Sequence, residues 1–184
     1  MADALVVIDI QNEYFPGGAV PLPRAEEAAA NAAEAIGAAR AAGVPVLHMR
    51  HEEPDSDQYF VPGTPGSETH DSVAPEGDEP LLVKNHPNSF LETDLASRLE
   101  ALGVRRVAFC GMMTSMCVDA TVRAAADHGL EAVLVEDGCA APDLDHNGRT
   151  IPADDVHAAF CAALGDGIAE LTDAGRFAAD PANA

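Results

Sequence analysis

The sequence predicts an α/β fold in which a mainly parallel sheet carries helices on both faces. Three observations predict it. Short apolar runs rich in β-branched residues recur along the chain. Alanine-rich or amphipathic stretches of helical length alternate with them. Glycine closes two of those stretches, at Gly43 and Gly103. Strands that alternate with helices form βαβ units, and these pack as a parallel sheet between helices.

The elements follow in order. Residues 4–10, ALVVIDI, make a continuous apolar run, which suits a strand buried on both faces. Residues 24–43 are alanine-rich, acidic in the first turn and closed by Gly43, so they predict a helix. Residues 44–50 predict a second strand. Residues 51–79 hold four prolines, three glycines and many acids, which predicts a long irregular segment of functional character. Residues 80–84, PLLVK, form a short third strand. Residues 93–103 form a helix with Thr93 as N-cap, and residues 104–110 form a fourth strand.

From Thr114 to His128 the pattern is helical, with Asp119, Arg123 and Asp127 spaced to pair along one face. Residues 130–137 give a fifth strand. A last helix begins near Pro152, with Asp154 and Asp155 placed favourably against its dipole. Val156, Phe160, Leu164, Ile168 and Leu171 are its apolar stripe. Neither an internal repeat nor a second domain is visible, so residues 1–184 read as one domain.

The whole chain bounds function further. A net charge of −21 opposes binding to nucleic acid or anionic membranes. No apolar run is long enough to span a bilayer. The first residues, MADALVVIDI, lack a basic region and a small-residue cleavage site, so the expectation is a cytoplasmic protein. Four cysteines without a C-x-x-C pair then read as thiols, not disulfides. Positive charge comes from nine arginines and a single lysine, Lys84. Lysine offers a compact ammonium where arginine offers a broad fork, so the lone exception marks Lys84 for chemistry.

In parallel sheets ligands bind beyond the carboxyl ends of the strands. Three useful groups fall there: Asp9 after the first strand, Lys84 ending the third, and Cys117 in the helix start after the fourth. With Thr114 as N-cap, Cys117 would be at the third helical position, where free N–H groups and the helix dipole favour a thiolate. The preceding GMMTSM suits a backbone that aims N–H groups at an oxyanion. A base, a cation and a nucleophile together follow the logic of acyl transfer. Cys110, Cys139 and Cys161 read as structural. Asp9 does not open a D-x-D motif, because position 11 is Gln.

The stretches VVIDIQNEY (6–14), VKNHPNSF (83–90) and GMMTSMCVDATVRAA (111–125) resemble the isochorismatase-like cysteine hydrolases, which include nicotinamidases. Order, spacing and strand context agree over nearly the whole chain. The resemblance implies a three-layer α/β/α sandwich in a single domain and a homo-oligomer. It implies a triad of Asp9, Lys84 and Cys117, oxyanion donors at the N–H groups of Met113 and Cys117, and a cis peptide between Met112 and Met113. The implied substrate is a small amide, cleaved through a thioester. Alternatives are vinyl ether hydrolysis, or a redox-sensing thiol with Cys110 as resolving partner. Nicotinamidases carry an Asp-x-His metal motif after the second strand. Here LHMRHEEP (47–54) lacks that aspartate, so neither metal nor cofactor is expected. His48, His51, Glu52, His70 and His86 are the residues from which ligands would have to come. Phe15 and Phe90 follow the motifs closely and are expected to line the substrate pocket.

Overall fold

Uniformly apolar strands sit in the middle of a sheet, and here they do. In the computed structural model, which describes residues 2–179, all five residues of β1 (Ala4–Ile8) are buried. The other strands of its sheet are β2 (Val46–His51), β3 (Leu81–Lys84), β4 (Arg106–Met112), β5 (Glu131–Ala140) and β8 (Ala169–Thr172). The order is β3-β2-β1-β4-β5-β8, and every pairing is parallel. Two short strands, β6 (Leu144–His146) and β7 (Arg149–Ile151), form a separate antiparallel hairpin.

The strand period of two divides the core into two apolar layers. Leu5, Val7, Cys110 and Val133 face α1 (Ala25–Ala42) and α5 (Ala174–Ala179). Ala4, Val6, Ile8 and Phe109 face α2 (Leu95–Ala101), α3 (Asp119–Asp127) and α4 (Ala153–Gly165). The result is the three-layer α/β/α sandwich implied by the resemblance. Among the described residues, no helix is long and apolar enough to cross a membrane.

Successive strands run outward from β1 to β3 on one side, then resume at β4 on its other side. The gap beyond the ends of β1 and β4 is therefore the topological switch point, where open α/β sheets place their ligands. One glycine brings the two strand ends together. Gly111 is in register with Ile8, at φ +138°, and a Cβ there would fall on the Ile8 carbonyl oxygen.

Five expectations need correction. The last helix stops at Gly165, and Ile168 and Leu171 belong to the next connection and to β8. Gly165 and Gly167 flank Asp166 there and interrupt the helix, although the apolar spacing continues. The hairpin of β6 and β7 was not expected; it turns at Asn147 (φ 51°) and Gly148 (φ 75°), a pair suited to two left-handed positions. The short helix α5 was not expected either. Asp94, not Thr93, is the N-cap of α2, although the Thr93 hydroxyl does accept the Leu95 N–H at 3.3 Å. Met113, not Thr114, precedes the first helical residue after β4, and residues Thr114–Val118 form a π-helical turn. By contrast Gly43 is left-handed at the end of α1, as the sequence predicts.

The close approach at Gly111 gives a test. Gly111→Ala is expected to cost about 3 kcal/mol or more, from the clash and the positive φ together. This would be read as a lower urea midpoint at unchanged slope. A midpoint equal to that of the parent protein would contradict the packing described.

Candidate active site

The switch point collects groups from three strand ends. Asp9 directly follows β1 and adopts φ +50°, rare for a residue with a side chain, while its N–H donates to the Met49 carbonyl at 3.1 Å. Lys84 is the last residue of β3, opposite His51 of β2. After β4 the Met112–Met113 peptide is cis. The Met113 carbonyl then accepts the N–H groups of Met116 (3.0 Å) and Val118 (3.2 Å). The second of these bonds makes the turn one residue wider than an α-turn. Cys117 lies inside it.

These side chains converge. Lys84 Nζ is 2.6 Å from Asp9 Oδ2, and both side chains are fully buried. Cys117 Sγ lies close enough to both for their charges to act on it. Lys84 Nζ also donates to the His86 carbonyl at 3.0 Å and sits 3.4 Å from His51 Nδ1. The Asp9–Lys84 contact is a pairing of charges more than an aligned hydrogen bond, and Asp9 Oδ1 has no other aligned partner among the described residues.

The electrostatics correct one expectation. Burial raises the Cys117 thiol well above its ordinary value, and neighbouring Asp9 raises it further, while Lys84 only partly opposes them. The resting group is a thiol, not the helix-stabilised thiolate expected from its position. For Lys84, burial acts downward, but Asp9 and then Cys117 more than compensate, so the ammonium is held above the usual lysine range. Tyr14 is pushed up by burial first, then by Cys117 and Asp9, and stays a neutral phenol.

A cavity of about 520 Å³ opens over this cluster, and Cys117 and Met113 line it. Both tyrosines of the chain, Tyr14 and Tyr59, line it with Phe60. Val20, Leu22 and Met116 add aliphatic surface, and His51 and Glu53 add the polar part. Phe15 and Phe90 are not among the lining residues. The 3-10 turn Asn12–Tyr14 places Tyr14 at the cavity, whereas Phe15 stacks on His70 with ring centroids 3.7 Å apart. Phe90 stacks on His128, against α2 and α3. A smaller cavity of about 200 Å³ beside Cys139 and His157 contains none of the three converging groups.

Several residues here escaped sequence reasoning. Buried Gln11 donates to the His51 and Ser67 carbonyls (2.8 and 2.7 Å) and accepts the His51 N–H (2.9 Å), stapling the end of β2 to the long irregular segment. Buried Glu13 accepts the N–H groups of Ala19 (2.7 Å) and Phe60 (3.3 Å) and so fixes the cavity wall. Acid and amide side chains inside an otherwise apolar motif were the available signal.

The histidines considered as metal ligands are spread out. His48 pairs with Glu79 (3.0 Å), His51 with Glu53 (2.8 Å) and His86 with Glu92 (3.2 Å), while His70 Nδ1 contacts the Ser72 hydroxyl. Glu52 pairs with Arg50 at 2.8 Å. Among the described residues, no three His, Cys, Asp or Glu side chains gather as a metal site.

Comparison with known proteins decides the lineage. The model of the isochorismatase domain matches residues 3–174. The chain belongs to the isochorismatase family. It is 47% identical over 165 residues to the uncharacterized isochorismatase family protein YddQ of Bacillus subtilis, covering 89% of this chain and 92% of that protein. The maleamate amidohydrolase of Pseudomonas putida is 31% identical, with 73% of this chain and 70% of that protein covered. Among solved structures, one from Oleispira antarctica superposes with a TM-score of 0.93 at 41% identity, covering 97% of this chain and 96% of that one. N-carbamoylsarcosine amidase from Thermoplasma acidophilum superposes with a TM-score of 0.80 at 25% identity, covering 95% and 97%. The family is one of hydrolases, and two of these relatives, the maleamate amidohydrolase and the N-carbamoylsarcosine amidase, are named for hydrolysis of C–N bonds.

The raised thiol gives this isochorismatase-family chain a measurable signature. Alkylation of Cys117 by iodoacetamide is expected to quicken about tenfold per pH unit and to continue rising through pH 9. A rate that levels off below pH 7, followed by peptide mass spectrometry, would mean that a thiolate is already present.

Proposed function

We propose that this protein is a cysteine amidohydrolase that cleaves a C–N bond of a small amide through a thioester on Cys117. The observation that carries the reading is the buried Asp9–Lys84 pair, 2.6 Å apart, beside a thiol that lines an accessible cavity. A raised thiol needs a base at the moment of attack, and Asp9 is within reach to be that base.

The steps follow from the chemistry of the groups. Asp9 takes the Cys117 proton as the sulfur attacks the amide carbonyl. Negative charge moves to the carbonyl oxygen, where the N–H groups of Met113 and Cys117 are the donors in this reading. The C–N bond then breaks, and Asp9 returns the proton to the departing nitrogen. Water, deprotonated by Asp9, attacks the thioester. The acid leaves, and the proton returns to sulfur. Lys84 keeps its positive charge throughout and prevents a fully buried Asp9 from becoming an isolated anion. Its ammonium donates to the His86 carbonyl, lies 3.4 Å from His51 Nδ1 and pairs its charge with Asp9.

The redox reading has less support. It needs a resolving thiol, and Cys110 packs in the opposite apolar layer from Cys117. Vinyl ether hydrolysis has no use for an activated sulfur, whereas the groups here surround one.

Ammonia release from small amides tests the proposal. Cys117→Ala is expected to lose at least about a thousandfold in kcat/KM with unchanged far-ultraviolet circular dichroism. Lys84→Arg is expected to lose about a hundredfold, because the guanidinium fork cannot occupy a fully buried point-charge site. Wild-type turnover in either variant would remove the corresponding role.

A further inference from the structure

The cavity wall is chemically one-sided. Among the described residues lining it there is no arginine or lysine, and the acid is Glu53. Lys84 is fully buried and committed to Asp9, so it is not offered to a ligand's carboxylate. Apart from His51 and the Cys117 thiol, the rest of the wall is aromatic or aliphatic. Four rings form a contiguous group: Phe60 lies 5.1 Å from Tyr14, 6.0 Å from Tyr59 and 5.6 Å from His51.

Such a wall would leave a bound carboxylate desolvated and unpaired, which is strongly unfavourable. It would welcome a positive charge, because a carboxylate and aromatic faces both attract cations. Glu53 is available for this. Its Oε1 accepts from His51 Nε2 at 2.8 Å, which uses one of about four lone-pair positions on the carboxylate. The side chain is 41% exposed, so a ligand can reach it. The His51 bond also holds the carboxylate at a fixed place on the wall. With a net charge of −21, the protein's field further concentrates cations at its surface.

We infer that the substrates are amides whose non-reacting part is apolar and carries a positive charge, and that Glu53 is the residue that selects it. This rests on the amidohydrolase reading above for its chemistry, but not for its binding preference. Amides bearing a carboxylate in the same place are refused.

A matched series tests it: 4-(aminomethyl)benzamide, 4-methylbenzamide and 4-carbamoylbenzoic acid, which are cationic, neutral and anionic with the same reacting amide. The wild-type protein is expected to rank kcat/KM in that order, with the difference carried by KM. Glu53→Gln is expected to shrink the cation-to-neutral ratio about five- to tenfold. The ratio cancels any loss common to both substrates, such as a disturbed His51. Glu53→Lys is expected to invert the cation-to-anion order. A wild-type preference for the anion, or a ratio unmoved in Glu53→Gln, would overturn the assignment. Calorimetric binding of the three amides to Cys117→Ala separates this from the hydrolase reading. If no amide is turned over but the cation still binds most tightly, selection stands and hydrolysis falls. If turnover occurs without the cation preference, or no amide binds, selection falls.

Discussion

A single buried ion pair organises this molecule. Lys84 and Asp9 meet at 2.6 Å with neither side chain reaching solvent. Bringing two charges out of water costs several kcal/mol per ion, and mutual attraction repays it only when the geometry is close and the remaining donors are satisfied. The fold supplies both conditions. Parallel pairing of β3 with β2 and of β2 with β1 brings the ends of three strands to one rim. The His86 carbonyl and His51 take the remaining Lys84 protons. Such a pair adds little net stability, and its position beside a thiol that lines a cavity is the argument for chemistry.

The pair also accounts for the state of the sulfur. A thiol beside an anion in a dry site keeps its proton, and the adjacent ammonium does not reverse that. The site therefore holds a neutral thiol next to a carboxylate, and in the proposed reading the carboxylate takes the thiol's proton when a substrate fills the cavity. The geometry that allows this depends on small backbone choices: the positive φ of Asp9, the glycine at 111 where two strand ends touch, and a turn after Met113 widened by one residue.

Much of this could be read in the chain. Continuous apolar runs gave the buried parallel strands, and the strand ends gave Asp9, Lys84 and Cys117, because a parallel sheet displays its carboxyl ends on one rim. What could not be read has physical causes. Ile168 and Leu171 keep helical spacing across a glycine-flanked break, so β8 was hidden. Phe15 neighbours the first motif, but a 3-10 turn exchanges it for Tyr14 at the cavity. Glu53, Tyr59 and Phe60 lie in a segment without periodicity. Their placement depends on buried Glu13, and that of neighbouring His51 on Gln11; these side-chain bonds span 40 or more residues. Local pattern carries no information about such contacts.

The central claim is that Asp9, held by Lys84, draws the proton from Cys117 and lets it form an acyl bond. Acid-quenched protein caught during turnover of a small amide, digested and weighed, tests it most directly. The account predicts the acyl mass on the peptide containing Cys117 in the parent protein and its absence in Asp9→Asn. An acyl group found on another residue, or one that forms equally well in Asp9→Asn, would contradict it.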